Sequence, residues 1–205
     1  MPPPLSGLLV DFGGVLTTDV FASFAAFCEA EGLAPETVRE RFACDPVARG
    51  LLEELELGRL SEAEFEDRFA ALLSTDPDRL IDRLFAGMRP DEAMLDAVRA
   101  AREAGIRTGL LSNSWGAARY DADMLATHFD ATVISGTVGL RKPDPAIYPL
   151  AAEALGLPAP QVVFVDDLPG NLKPARQLGM VTVRHERTPE TVSELERLLG
   201  VTLSG

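Results

Sequence analysis

Five short, unbroken apolar runs constrain this chain more than any other feature: Gly7 to Asp11, Ile106 to Leu111, Ala131 to Ser135, Gln161 to Val165 and Met180 to Arg184. They are short, continuous and rich in Val, Leu and Ile, so they read as parallel strands covered on both faces. Helical patterns separate the last four. Asp91 to Ala104 stops at Gly105, and Ala117 to His128 follows the second run. Pro143 to Leu155 carries proline in its first turn and stops at Gly156, while Leu172 to Leu178 is closed by Gly179. Strand and helix alternating in this way imply right-handed crossovers and a doubly wound sheet.

The first gap is different. From about Asp19 to Arg89 there is helical periodicity without a strand signal, broken by Gly32, Gly50, Gly58 and Asp76-Pro77. Four or five helices fit there. Ser61-Glu62-Ala63-Glu64 is a capping-box pattern that opens a helix carrying Phe65, Phe69 and Leu72 at helical spacing. An all-helical insertion directly after the first strand predicts a cap over a site rather than an ordinary crossover. The expectation is therefore an α/β, Rossmann-like core of residues 1–17 and 90–205, with a helical cap domain of residues 18–89 inserted in it. At 205 residues the chain is long enough to bury the core this requires.

Open α/β sheets bind ligands at the carboxyl ends of their strands. There this sequence places Asp11, then Ser112-Asn113, and, past the third strand, Lys142 between Arg141 and Pro143. The Asp166-Asp167 pair ends the fourth strand. Two adjacent acids ending a buried strand repel each other unless a cation or ammonium lies nearby. Magnesium suits such a place, because it takes oxygen ligands and is satisfied by a few carboxylates and substrate phosphate. The Ser112 hydroxyl and neighbouring backbone N–H groups can hold phosphoryl oxygens, and Lys142 can neutralise the acids and bind a transferring anion. Asn171 either hydrogen-bonds one of the acids or the strand-end backbone, or is a plain turn residue. Trp115 either lines a substrate pocket or packs. Phe24, Phe27, Phe65 and Phe69 read as cap core.

A net charge of -13 disfavours nucleic acid and anionic membrane surfaces as partners. The same charge makes a divalent cation useful to any anionic substrate. Cys28 and Cys44 form no Cys-x-x-Cys pair and read as reduced structural thiols, which with the lack of a visible signal segment predicts a cytoplasmic protein. His128 and His185 lack metal-ligand spacing. Oligomeric state, monomer or homodimer, is left open by the sequence.

Asp11, Ser112, Lys142 and Asp166-Asp167, in this order, resemble the four motifs of the haloacid dehalogenase superfamily of hydrolases. Val165-Asp166-Asp167-Leu168-Pro169-Gly170-Asn171-Leu172-Lys173-Pro174-Ala175-Arg176 is most similar to the N-terminal phosphatase domain of soluble epoxide hydrolases and their bacterial relatives. The resemblance implies that Asp11 is a nucleophile forming an aspartyl-phosphate. It implies Mg²⁺ held by Asp11, Asp166 and the Gly13 carbonyl, with Asp167 assisting. Ser112, Asn113 and Lys142 would bind the phosphoryl oxygens of a small phosphorylated metabolite.

One position departs from this pattern. Phosphatases of the superfamily usually carry a second Asp where this chain has Gly13, and that Asp moves the proton to the leaving oxygen. Losing a positioned general acid removes about 10²–10⁴ in rate, roughly 3–5 kcal/mol of barrier. The reading is a Mg²⁺-dependent phosphatase. Two alternatives stand beside it: a 2-haloacid dehalogenase-type hydrolase, and a catalytically weak or non-catalytic protein that binds a phosphorylated ligand. A phosphorelay receiver is rejected, because it places the acid pair at the first strand.

Overall fold

A computed structural model describes residues 4–116 and 119–203. Its sheet has five parallel strands: β1 Gly7–Val10, β2 Arg107–Ser112, β3 Ala131–Ile134, β4 Val162–Asp166 and β5 Val181–Arg184, in the order β3-β2-β1-β4-β5. The chain builds one half of the sheet outward from β1, then crosses to the other side of β1 to lay down β4. That reversal puts the topological switch point between the carboxyl ends of β1 and β4, where doubly wound sheets hold ligands. Val10 pairs with Val165 in register, so Asp11 and Asp166 emerge side by side.

Alternate residues of each strand face opposite layers. Leu8, Val10, Val163 and Val165 pack against α6 (Glu92–Glu103) and α11 (Thr188–Leu199). Leu9, Leu111, Val162 and Phe164 pack against α9 (Ile147–Leu155) and α10 (Pro169–Gln177). Covering both faces explains the unbroken apolar runs in the sequence.

The first gap holds five helices: α1 Val20–Ala30, α2 Thr37–Cys44, α3 Pro46–Glu56, α4 Glu62–Leu73 and α5 Leu80–Leu84. They enclose a core of their own that includes Phe24, Phe27, Phe65 and Phe69. The chain leaves and re-enters through two adjacent segments. Thr17 and Pro90 form an antiparallel bridge, and Thr18 N donates to the Arg89 carbonyl at 2.8 Å. The capping box on α4 is formed in both directions between Ser61 and Glu64.

Several boundaries differ from the expectations. The helix expected from Pro143 begins at Ile147, because a turn closed by Asp144 N donating to Arg141 O precedes it. The helix expected from Leu172 begins at Pro169, which supplies the first helical position. The pattern from Ala117 to His128 forms α7 only over Ala122–His128, capped by Asp121, and residues 117 and 118 lie outside the described residues. A short α8, Ser135–Val138, follows β3, and α11 closes the fold; neither was expected. Among the described residues no helix is long and apolar enough to cross a membrane.

Candidate active site

Asp11 leaves the end of β1 with its backbone N–H still bonded to the Val165 carbonyl at 3.0 Å. Its Oδ1 accepts from Phe12 N at 2.7 Å and from Lys142 Nζ at 2.7 Å. Lys142 is buried, and its ammonium also reaches Asp166 Oδ2 at 2.8 Å. Asp166 is fully buried and heavily bonded: Leu168 N donates to Oδ1 at 2.8 Å, and Asn171 Nδ2 lies 3.0 and 3.1 Å from its two oxygens. Asn171 is itself fixed by the Tyr148 hydroxyl, which donates to its carbonyl at 2.7 Å. Of the two readings open for Asn171, the geometry selects the hydrogen bond to an acid.

Asp167 completes the cluster. Carboxylate oxygens of Asp11, Asp166 and Asp167 lie within 4.8 Å of one another. Three carboxylates face one ammonium, so the group carries an excess of negative charge that a hard divalent cation would neutralise through oxygen ligands. Gly14 makes room for this. Its φ is +72°, and a Cβ there would stand 2.8 Å from Asp167 Oδ2.

The electrostatics reflect that excess. Burial raises the Asp11 pKa from 3.8 to about 8; Lys142 opposes the shift, while Asp166 and Asp167 add to it. Burial and Asp166 push Asp167 up to about 6. Burial alone would lower the Lys142 pKa, but the Asp11 and Asp166 charges reverse the sign and hold it above its ordinary value. Lys142 is thus a fixed cation, and the carboxylates are the groups that lack compensation.

Ser112 ends β2 with its hydroxyl accepting from the Tyr120 hydroxyl at 2.9 Å. Burial raises the Tyr120 pKa to about 12, so it acts as a donor at neutral pH. Asn113 is arranged differently from the expectation of a phosphate-binding amide. Its side chain is engaged with the Lys142 main chain, accepting from N at 2.8 Å and donating to the carbonyl at 3.0 Å.

Above these groups lies a cavity of about 500 Å³ between the sheet and the helical insertion. Its floor includes Asp11, Ser112, Asn113, Lys142, Asp167 and Asn171. Its walls are mainly apolar and include Val20, Phe24, Phe42, Leu52, Phe85 and Trp115. Trp115 both lines this space and packs, with ring centroids 5.0 to 5.8 Å from Phe85, Phe65, Phe42 and Phe24. A side chain at Gly13 would begin 3.0 Å from Val20 Cγ2, so an aliphatic group borders the place of the absent second acid. Tyr120, Arg119 and Glu56 also line the cavity, and none of them belongs to a motif of the sequence. Glu56 did leave a trace: it follows Leu52 by one helical turn, a charge at the spacing of an apolar face.

A family model of haloacid dehalogenase-like hydrolases matches residues 5–179. The bifunctional epoxide hydrolase 2 of Rattus norvegicus is 34% identical over 128 residues, 59% of this chain and 23% of that protein. The chain therefore matches less than a quarter of that relative's length. A phosphatase of Mycobacterium tuberculosis (strain CDC 1551) is 32% identical over 162 residues, 76% of this chain and 68% of that protein. Among solved structures, a haloacid dehalogenase family enzyme of Bacteroides thetaiotaomicron, in complex with magnesium and inorganic phosphate, shares the fold. It has a TM-score of 0.69 and 24% identity, covering 89% of this chain and 94% of that one. The chain belongs to the haloacid dehalogenase-like hydrolases.

Proposed function

We propose that this protein is a Mg²⁺-dependent phosphatase acting on phosphate monoesters with an apolar leaving group, through an aspartyl-phosphate on Asp11. The observation that carries the reading is the cavity itself, with carboxylates and Lys142 at the floor and aromatic walls above. A phosphoryl group meets the polar floor, and the rest of the ester meets Phe24, Phe42, Phe85 and Leu52.

The Asp11, Asp166 and Asp167 carboxylates, with the Gly13 carbonyl, would hold Mg²⁺. The ion would neutralise the carboxylate excess and the charge of the transferring phosphoryl group. Asp11 attacks phosphorus in line, forming the acyl-phosphate bond as the ester P–O bond breaks, and water then cleaves the acyl phosphate to return Asp11 and release phosphate. Lys142 holds a phosphoryl oxygen while keeping Asp11 oriented. Ser112, turned by Tyr120, binds another oxygen. Asn113 contributes through its backbone, because its amide side chain already holds Lys142. No side chain at position 13 protonates the departing oxygen, so aryl and acyl phosphates, which leave without help, are favoured over alkyl phosphates.

The test is turnover of 1-naphthyl, p-nitrophenyl, acetyl and glycerol phosphates, with Mg²⁺ or with chelator. The expected result is Mg²⁺-dependent release of phosphate, fastest from the aryl esters and abolished in Asp11→Asn. Chloride released from 2-chloropropionate in chelator, with no phosphatase activity, would sink the reading.

A further inference from the structure

The Lys142 backbone is held at both N and O by the Asn113 side chain, and one residue of the helical insertion bonds both Asn113 and the neighbouring Arg141. Asn113 uses one Nδ2 hydrogen on the Lys142 carbonyl; the same nitrogen also donates to Glu56 Oε2 at 3.2 Å. Arg141, the chain neighbour of Lys142, donates from Nε to the same Glu56 oxygen at 2.5 Å. Glu56 stands at the end of α3, and only 5% of it is exposed. It touches neither Asp11 nor the ammonium.

The surrounding contact is close enough to transmit position. The Glu56 carbonyl accepts from the Ser135 hydroxyl, and Ser135 Oγ in turn accepts from Ser114 N at 2.8 Å. Two residues on, Gly58 adopts φ +69°, and a Cβ there would stand 2.5 Å from the Gly136 carbonyl oxygen. Backbone meets backbone at this seat, so a side chain at position 58 forces the two segments to shift apart there.

We infer that Glu56 is a positioning residue: seated with the insertion, it fixes Lys142 through Asn113 and Arg141, so that the ammonium is aimed only when the cap is docked. What Lys142 does for the reaction rests on the phosphatase reading; how Glu56 holds it does not. A carboxylate suits the place better than an amide, because it accepts from Asn113 while neutralising the Arg141 guanidinium. The arrangement ties the covering of the leaving group to the assembly of the phosphoryl site.

The chain carries a reporter of docking. Trp115, its single tryptophan, leaves the core after β2 and packs among the phenylalanines of the insertion. The test compares wild type, Glu56→Gln and Gly58→Ala by steady-state kinetics on acetyl and 1-naphthyl phosphate, by Trp115 emission, and by crystal structures. Glu56→Gln should lower kcat by about 10–100-fold, by the same factor on both esters, since Lys142 serves the phosphoryl group they share. Gly58→Ala, with Glu56 intact, should move Trp115 emission to the red and lower kcat similarly. Unchanged kcat in a folded Glu56→Gln, or a loss confined to KM for the naphthyl ester, overturns the inference. A red-shifted Gly58→Ala with wild-type kcat also overturns it.

If the wild-type enzyme turns over no ester, the phosphatase reading fails and the crystal structure of Glu56→Gln decides the inference alone. Lys142 Nζ withdrawn from Asp11 and Asp166 supports it; Lys142 unmoved defeats it. Should Glu56→Gln not fold, Arg141→Gln, which removes the guanidinium beside Lys142, is read in the same way.

Discussion

A Cβ at position 13 would meet Val20 Cγ2 at 3.0 Å, so Gly13 and Val20 act as one feature. Gly13 has an ordinary negative φ, and its backbone therefore accepts a side chain; the neighbour is the obstacle. Gly13→Asp alone is expected to raise turnover of alkyl phosphates only slightly. Gly13→Asp with Val20→Ala should recover a larger part of the about 10²–10⁴ that a positioned acid contributes. Alkyl-phosphate kinetics of the two variants check this, and equal, unimproved rates would show that the missing acid does not limit the enzyme. Asp11 gives a second prediction. Its pKa is higher in the folded protein than in the unfolded chain, so its contribution to stability is present below about pH 4 and lost as pH rises towards 8. The melting temperature of the chelated protein should therefore fall across that range, with Mg²⁺ removing the slope and Asp11→Asn flattening it. Thermal melts with and without Mg²⁺ decide it. Lys142, beyond α8, stood out by its place between Arg141 and Pro143, whereas Asp11 and the Asp166-Asp167 pair were legible in the sequence because polar residues that end buried strands have one place to go. The side-chain role of Asn113 was not, because its partners lie 29 and 57 residues away.

Local start and stop signals governed how well each element was legible. Where a cap and an apolar face agree, as in α4 with Ser61 and Glu64, helix and boundary were both readable. Ser61→Ala is expected to cost about 1 kcal/mol, as N-cap removals do, and to lower the urea midpoint of unfolding without changing its slope. Where signals were weak, boundaries moved. The N-cap of α11 is Arg187, which makes no side-chain cap, and no start was readable there although Thr191, Val192, Leu195 and Leu199 form a buried face. In α10, Pro169 opens the helix and Pro174 lies inside it, so periodicity alone marked only the later part. This early start matters to the site, because it puts Asn171 in the first turn, facing Asp166.

The cavity belongs to neither layer alone: the sheet supplies its floor and the insertion most of its walls. Leu52, half-buried on α3, is a wall residue packed at the edge of the cap core. Leu52→Gln should raise KM for 1-naphthyl phosphate by about 5–20-fold, the worth of roughly 1–2 kcal/mol of apolar burial, and leave acetyl phosphate unaffected. Equal effects on both esters would remove the apolar wall from the account of specificity. The order of apolar runs, the helical gap after the first of them and the polar residues at strand ends were enough to establish a doubly wound sheet with a helical insertion and to select the floor of its site. These features follow from periodicity and chain order, which are local properties. The aromatic wall, Val20 beside Gly13, and the hold of Glu56 on Lys142 arise from contacts between residues far apart in the chain, whose partners are chosen by packing and charge only after the insertion docks on the sheet.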